Sequence, residues 1–199
     1  MSSVAERDRL RRQMRARRRS LSAGERADAA LRIGRIVQRS GLLQPGKRIG
    51  VYFAYGNEAD LGKVITLARR RGCHLYLPAI SDYRRGRMDF LRFDPGAALL
   101  LNRYGIPEPE RRIAARISVR HLDLIFMPLV AFDAEGWRLG SGAGFYDRSL
   151  HHLRGGRIWR RPKLIGVAYE FQRVPRLDPA PWDVPLDAVI TEHGLHSMR

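Results

Sequence analysis

Short apolar runs alternate with helix-forming stretches along most of this chain, and that alternation limits its fold more than any other feature. Arg48–Ala54 (RIGVYFA), Cys73–Pro78 (CHLYLP), Leu122–Met127 (LDLIFM), Leu164–Tyr169 (LIGVAY) and Ala188–Thr191 are short and almost continuously apolar. Such runs read as strands buried on both faces. Met88–Phe93 (MDFLRF) reads as a strand exposed on one side, and Asp60–Arg71 as a helix with Leu61, Val64, Ile65 and Ala68 inward. Strands interleaved with helices predict a three-layer α/β/α architecture around a mostly parallel sheet. With 199 residues, 44% of them hydrophobic, a single domain over 1–199 is expected.

Before the first strand the sequence predicts a helix pair within residues 1–40, packed on the body or reaching over its functional site. Residues 4–20 read as a helix with Arg7, Arg11, Arg15 and Arg18 on one face, and with Leu10, Met14 and Leu21 at a spacing that would dock it. Ser22 and Glu25 have capping-box spacing and start a second helix, which Gly41 and Pro45–Gly46 end.

Charge excludes less than its size suggests. The net charge is +17, but 34 of the 37 basic residues are arginine and only Lys47, Lys63 and Lys163 are lysine. That skew resembles a codon preference more than a binding surface. A basic surface suits nucleic acid or a polyanionic small substrate equally well. No apolar run is long enough for a membrane span, and no apolar segment follows the Arg-rich start, so neither a membrane association nor a secretory leader is expected. The lone Cys73 excludes an internal disulfide framework and a multi-cysteine metal site. The chain therefore reads as a soluble cytoplasmic protein; its oligomeric state is not legible.

In such sheets ligands bind beyond the carboxyl ends of the strands, which directs attention to Tyr55–Glu58, Pro128–Asp147, Glu170–Arg173 and the stretch around Asp183. The richest of these is Arg138-Leu-Gly-Ser-Gly-Ala-Gly-Phe-Tyr-Asp-Arg148. Gly140, Gly142 and Gly144 let backbone approach a ligand closely, and a helical pattern begins at Phe145 and continues through Leu150 and Leu153. Loop amides before a helix suit an anion, and Arg138 and Arg148 could add bidentate contacts to phosphate. Asp147 fits such a cradle if a divalent cation stands between it and the phosphates. The segment is not a Walker loop, since no Gly-Lys-Ser/Thr follows. It also fits the dinucleotide fingerprint poorly, because Pro128 and an Asp133–Gly136 turn separate it from the preceding apolar run.

Phe126-Met-Pro128, Phe132-Asp133, Gly136 and Arg138 through Asp147 together closely resemble the 5-formyltetrahydrofolate cyclo-ligase family, also called methenyltetrahydrofolate synthetase. The resemblance continues in order along nearly the whole chain. It includes Arg7-Asp-Arg-Leu-Arg11 with Leu21-Ser-Ala-Gly-Glu25-Arg, then Tyr52–Glu58, Arg87-Met-Asp-Phe-Leu and Tyr104-Gly-Ile-Pro-Glu-Pro109. Gly166-Val-Ala-Tyr-Glu-Phe-Gln172, Asp183-Val-Pro-Leu-Asp187 and Val189-Ile-Thr-Glu192 complete it.

The resemblance implies ATP- and Mg2+-dependent conversion of 5-formyltetrahydrofolate to 5,10-methenyltetrahydrofolate, with release of ADP and phosphate. It assigns Arg7, Arg11 and Arg138, Leu139, Gly140, Ser141, Gly142, Ala143, Gly144, Phe145 and Tyr146 to ATP. Phe53, Glu58 and Tyr104, with Ser141 through Phe145, go to the reduced folate. Asp147 and Asp183 are the implied magnesium ligands, and Tyr146 and Arg138 are placed beside the transferred phosphoryl group. Folate polyglutamate tails are anionic and would favour a basic surface. The chain departs from the family at Ser141 and Ala143, where some members carry basic residues, and at Phe145, where tyrosine is common. These changes bear on ATP affinity more than on the reaction type.

Each residue also has a plainer reading. Asp147 could be an ordinary first-turn acid, Asp183 could shape the Trp182–Pro185 turn, and Glu58 could cap the helix near Asp60. Phe53 could be core and Tyr104 a loop aromatic, while His151 and His152 read as helix surface and Cys73 as a buried small hydrophobe. Two other functions stay open: a basic nucleic-acid-binding protein, although no binding motif or clustered aromatics support it, and another phosphate-binding enzyme, for sugar phosphates or acyl-CoA, on a similar sheet.

Overall fold

The computed structural model describes residues 4–153 and 162–198. Helix α1 spans Val4–Ser20 and α2 spans Ala23–Arg39. The capping box forms as the sequence predicts: the Glu25 N–H donates to Ser22 Oγ at 3.2 Å and the Ser22 N–H donates to Glu25 Oε2 at 2.7 Å. Helix α3 runs Gly62–Arg70 and α4 Phe145–Leu150, the latter continued by a 3-10 turn at His151–Leu153. The strands in chain order are β1 (Arg48–Gly50), β2 (His74–Asp82), β3 (Arg87–Arg92), β4 (Leu99–Leu101), β5 (Pro107–Pro109), β6 (Arg116–Ile117), β7 (Leu124–Pro128), β8 (Ala131–Phe132), β9 (Arg138–Leu139), β10 (Lys163–Val167), β11 (Ala188–Ile190) and β12 (Leu195–Ser197).

One sheet carries the order β12-β11-β10-β7-β1-β2-β3-β6. Its centre, from β11 to β2, is parallel. β12 closes one edge antiparallel, and β3 and β6 close the other. β4 pairs with β5, and β8 with β9, as two separate ribbons. The mixed α/β fold with a mostly parallel sheet is thus as expected. β3 was legible as a strand exposed on one side, whereas β6 and β12 were not, because they are short and partly polar.

Alternate residues of the parallel strands enter opposite cores, as the period of a pleated strand demands. Ile49, Leu75, Phe126, Ile165 and Ile190 pack with Ile33 and Val37 of α2 and Val64 and Ala68 of α3. Ile125, Met127, Leu164 and Val189 pack on the other face with Leu150 and Leu153. A third, small cluster joins Met14, with Leu10 beside it, to Val130, Ala131 and Leu139. This is the docking of α1 that its apolar spacing anticipated, and its partner is the β8–β9 ribbon.

The first strand is shorter than its apolar run. The Val51 N–H still donates to Tyr76 O at 2.9 Å, and then the chain leaves the sheet. Pairing stops although apolarity does not: Tyr52 lies beyond the sheet, where its hydroxyl donates to Ala59 O at 2.7 Å.

The turn at Gly136 holds the segment that carries Asp183. Gly136 has φ 89°, and a Cβ there would lie 2.8 Å from Leu186 O. The Leu186 N–H donates to Gly136 O at 2.8 Å. Gly136→Ala meets both a left-handed backbone and a carbonyl, so it should cost about 1–3 kcal/mol. Urea unfolding would register this as a lower midpoint at constant slope, and an unmoved midpoint would refute the assignment.

Candidate active site

A cleft of about 690 Å³ opens beyond the carboxyl ends of β1, β2 and β7. This is where a parallel sheet leaves room for a ligand. Three walls meet there: the turn after β1 with Tyr52, Phe53 and Glu58, the β4–β5 ribbon with Tyr104 and Glu108, and the glycine loop with α4. Arg15, Arg18 and Arg19 of α1 border it as well.

The turn after β1 aims Glu58. Gly56 and Asn57 are both left-handed, at φ 56° and 61°, a backbone that glycine and asparagine tolerate. Glu58 Oε2 accepts the Tyr55 N–H at 3.1 Å, and its Oε1 lies 3.8 Å from Arg18 Nη1. Glu58 therefore does not cap α3, where the first helical N–H, that of Gly62, donates to Asp60 instead. Burial pushes its carboxyl above the ordinary glutamate range, against the Tyr55 N–H and the charges of Arg18 and Arg15. Phe53 stands edge-on to Phe93, with ring centroids 5.4 Å apart, and is partly exposed to the cleft. Tyr104 is 41% exposed at the cleft mouth, with its hydroxyl accepting from Arg103 Nη2 at 2.6 Å.

Arginines of α1 and α4 hold the glycine loop. Arg11 Nε donates to Gly140 O at 3.0 Å, Arg15 Nη2 donates to Ser141 O at 3.0 Å, and Arg148 Nη2 donates to Ala143 O. Because a peptide is planar and trans, the N–H groups of Ser141, Gly142 and Gly144 point away from those guanidiniums. Gly142 and Gly144 sit at φ 108° and 66°, so the loop's path depends on their missing side chains. Arg148 also donates to Gly86 O at 3.2 Å, which makes it a brace of the loop.

The segments that carry the two acids singled out from sequence meet at one arginine. Arg138, with a side chain only 5% exposed, pairs with Asp147 at 2.5 Å and donates to the carbonyl of Val184, next to Asp183. Asp183 Oδ2 accepts the Ala180 N–H at 2.7 Å and faces Arg7 Nη2 at 3.6 Å. It shapes its turn, as the plainer reading held, and it also faces the arginine stripe. Among the described residues no group of three or more His, Cys, Asp or Glu could hold a metal ion. Tyr146 lies against the cleft, and burial lifts its hydroxyl above the ordinary phenol range, with Glu58 adding and Arg138 opposing.

Residues 3–192 match the model of the 5-formyltetrahydrofolate cyclo-ligase family. The chain belongs to this family. The 5-formyltetrahydrofolate cyclo-ligase of Escherichia coli K12 is 36% identical over 145 residues, which is 72% of this chain and 76% of that one. The Mus musculus 5-formyltetrahydrofolate cyclo-ligase is 27% identical over 192 residues, 92% of each chain. The NMR structure of Aquifex aeolicus 5,10-methenyltetrahydrofolate synthetase superposes with a TM-score of 0.82 at 29% identity, covering 97% of this chain and 93% of that one.

Sequence reasoning missed Arg15, Arg18, Tyr52, Asn102 and Glu108 as cleft residues. Arg15 and Arg18 continue the stripe begun by Arg7 and Arg11, so helical spacing was a signal for them. Glu108 gave none: its Oε1 accepts the Ile80 N–H at 3.1 Å and Asn102 Nδ2 at 2.8 Å, contacts made by folding. Leu139 is buried, and of the loop residues named from sequence Leu139 and Gly142 are not on the cleft wall, nor are Arg7, Arg11 and Asp183. Among the described residues no helix is long and apolar enough to cross a membrane.

Burial lifts both Tyr146 and Tyr52 above the phenol range, so both keep their protons after exposed tyrosines have ionised near pH 10. An alkaline absorbance titration of the Tyr146→Phe variant should show the first phenolate rise intact. Loss of part of that early rise would contradict this environment.

Proposed function

We propose that the protein converts 5-formyltetrahydrofolate to 5,10-methenyltetrahydrofolate, consuming ATP with Mg2+ and releasing ADP and phosphate. The observation that carries this reading is the convergence of Asp147 and the Asp183–Val184 segment on Arg138, at the rim of a cleft whose far wall holds Glu58.

The chemistry asks for positioning and charge stabilisation. A formamide oxygen is a poor leaving group. It attacks the terminal phosphorus of ATP, and the bond to ADP breaks. Nitrogen 10 then adds to the activated carbon, loses its proton, and the carbon–oxygen bond breaks with departure of phosphate. The protein's groups suit these steps. Glu58 accepts the amino and ring N–H donors of the pterin, while Phe53 and Tyr104 flank its flat ring. The amides of Ser141 and Gly144, with Arg138, meet phosphate charge in the cleft, while Arg11 and Arg7 brace the glycine loop and the Asp183 turn from α1. Tyr146 stays protonated and donates a hydrogen bond near the transferred group.

Asp147 and Asp183 fit magnesium in chemistry, since both offer hard carboxylate oxygens and Arg138 ties their two segments together. Asp147 and Asp183 would hold the cation, which would supply neutralisation of phosphate charge. The arginine stripe of α1 supports this reading over nucleic-acid binding. Arg7, Arg11, Arg15 and Arg18 point at Asp183, Gly140 O, Ser141 O and Glu58, which are groups of the protein itself.

Protein mixed with 5-formyltetrahydrofolate and Mg-ATP should develop the near-ultraviolet absorbance of the methenyl product. Absence of product at ample enzyme refutes the activity. Asp147→Asn keeps an acceptor for Arg138 but removes the charge, and should lower kcat by about 100-fold or more. Near wild-type turnover in that variant would remove Asp147 from the cation site.

A further inference from the structure

Arg18 is the buried charge that the reaction as described does not use. It sits in the last turn of α1 at 5% exposure, among the few charged residues that folding buries. Its Nε is buried without a hydrogen-bond partner, and its Nη1 lies 3.8 Å from Glu58 Oε1. A guanidinium placed this way loses hydration that one loose ion pair only partly replaces. Nothing in helix packing requires it, since Leu10 and Met14 already dock α1. Burial at such a cost points to a task at the group it faces.

That group is held with little freedom except at its carboxylate. Tyr52 Oη donates to Ala59 O at 2.7 Å and Tyr169 Oη donates to Glu58 O at 3.4 Å, so the backbone on both sides of the Glu58 side chain is tied down. The Tyr55 N–H takes one lone pair of Oε2. The remaining lone pairs face a cleft that Arg15 and Arg18 border from α1 and Tyr52 and Tyr146 from the sheet side. Among the described residues, those four and Tyr169 are the titratable and charged groups around Glu58, and burial lifts the three tyrosines above the ordinary phenol range. Among the described residues, the cations that act on Glu58 are Arg18 and Arg15 of α1.

Resting on the reading of the cleft as a reduced-folate site, we propose that Arg18 is a positioning residue for the pterin: its buried guanidinium fixes and counterbalances the Glu58 carboxylate, so that Glu58 accepts the pterin's N–H donors instead of taking up a proton. Arg18 touches Glu58 and not the reacting atoms. It also makes recognition of the folate depend on the docking of α1, the helix whose other end carries Arg7 and Arg11.

The sign of the pH effect follows. A proton on Glu58 competes with the pterin donors, so substrate binding weakens as pH falls through the Glu58 pKa. Burial raises that pKa and Arg18 opposes the rise. Removing Arg18 therefore moves the acid limb to higher pH.

The test compares wild type, Arg18→Met, Arg18→Lys, Glu58→Gln and the Arg18→Met/Glu58→Gln double variant, by KM, kcat and calorimetric Kd for 5-formyltetrahydrofolate across pH. Arg18→Met keeps the apolar stem and should raise KM and Kd about 10-fold at neutral pH, with kcat within about two-fold. Its acid limb should shift upward, Arg18→Lys should restore part of the affinity, and the double variant should bind no worse than Glu58→Gln alone. An unmoved acid limb, or losses that add in the double variant, would overturn the proposal, as would a purely thermal destabilisation. If Arg18→Met does not fold, Arg18→Lys and the double variant decide by the same criteria. Wild-type protein that forms no methenyl product fails the proposed function instead, so the two failures are distinct.

Discussion

One buried guanidinium organises the chemistry of this protein. Arg138 leaves the β8–β9 ribbon and reaches both Asp147 on α4 and the carbonyl of Val184. That side chain, together with the Leu186 N–H to Gly136 O hydrogen bond, joins the glycine loop to the turn at Asp183. A guanidinium can do this where an ammonium could not, because its donors lie in one plane and diverge toward two acceptors. Charge-assisted bonds in a sheltered place hold such an arrangement more firmly than exposed pairs do.

The second organising element is the docking of α1. Its apolar contribution is modest: Leu10 and Met14 pack on Val130, Ala131 and Leu139, and a fully buried side chain of this size contributes about 1.5–3 kcal/mol. The rest of the contact is polar. Arg7, Arg11, Arg15 and Arg18, at successive helical turns, meet Asp183, two loop carbonyls and Glu58. Four cations on one helix face thus span the site from its acidic turn at Asp183 to Glu58. The large positive charge of the sequence acquires a definite use at these four positions, whatever the remainder does on the surface.

Much of the fold was legible because local rules decided it. Ser22 and Glu25 announced the start of α2, and the capping box forms at those atoms. Continuous apolar runs announced the parallel strands, since both faces of that sheet are covered. Their ends were not legible: the run Arg48–Ala54 contains a strand of only Arg48–Gly50, because apolar character marks burial and not pairing. The β4–β5 ribbon escaped as well. Leu99, Leu100 and Leu101 are exposed there, so a rule that places leucine inside misreads them. In the site, the motif at Arg138–Asp147 was visible in the sequence, whereas Glu108 became visible only after folding brought it beside Ile80 and Asn102.

The sequence by itself determined the layer order, the helix starts, the glycine loop and the family, because each depends on residues close together in the chain or on their order along it. Only the tertiary structure decided that Asp147 and the Asp183 turn share Arg138, that Glu58 faces Arg18 instead of capping a helix, and that the arginine stripe turns inward. Those outcomes join residues tens of positions apart. They follow from where the sheet sends the chain at each strand end and from which charges must find partners once water is removed.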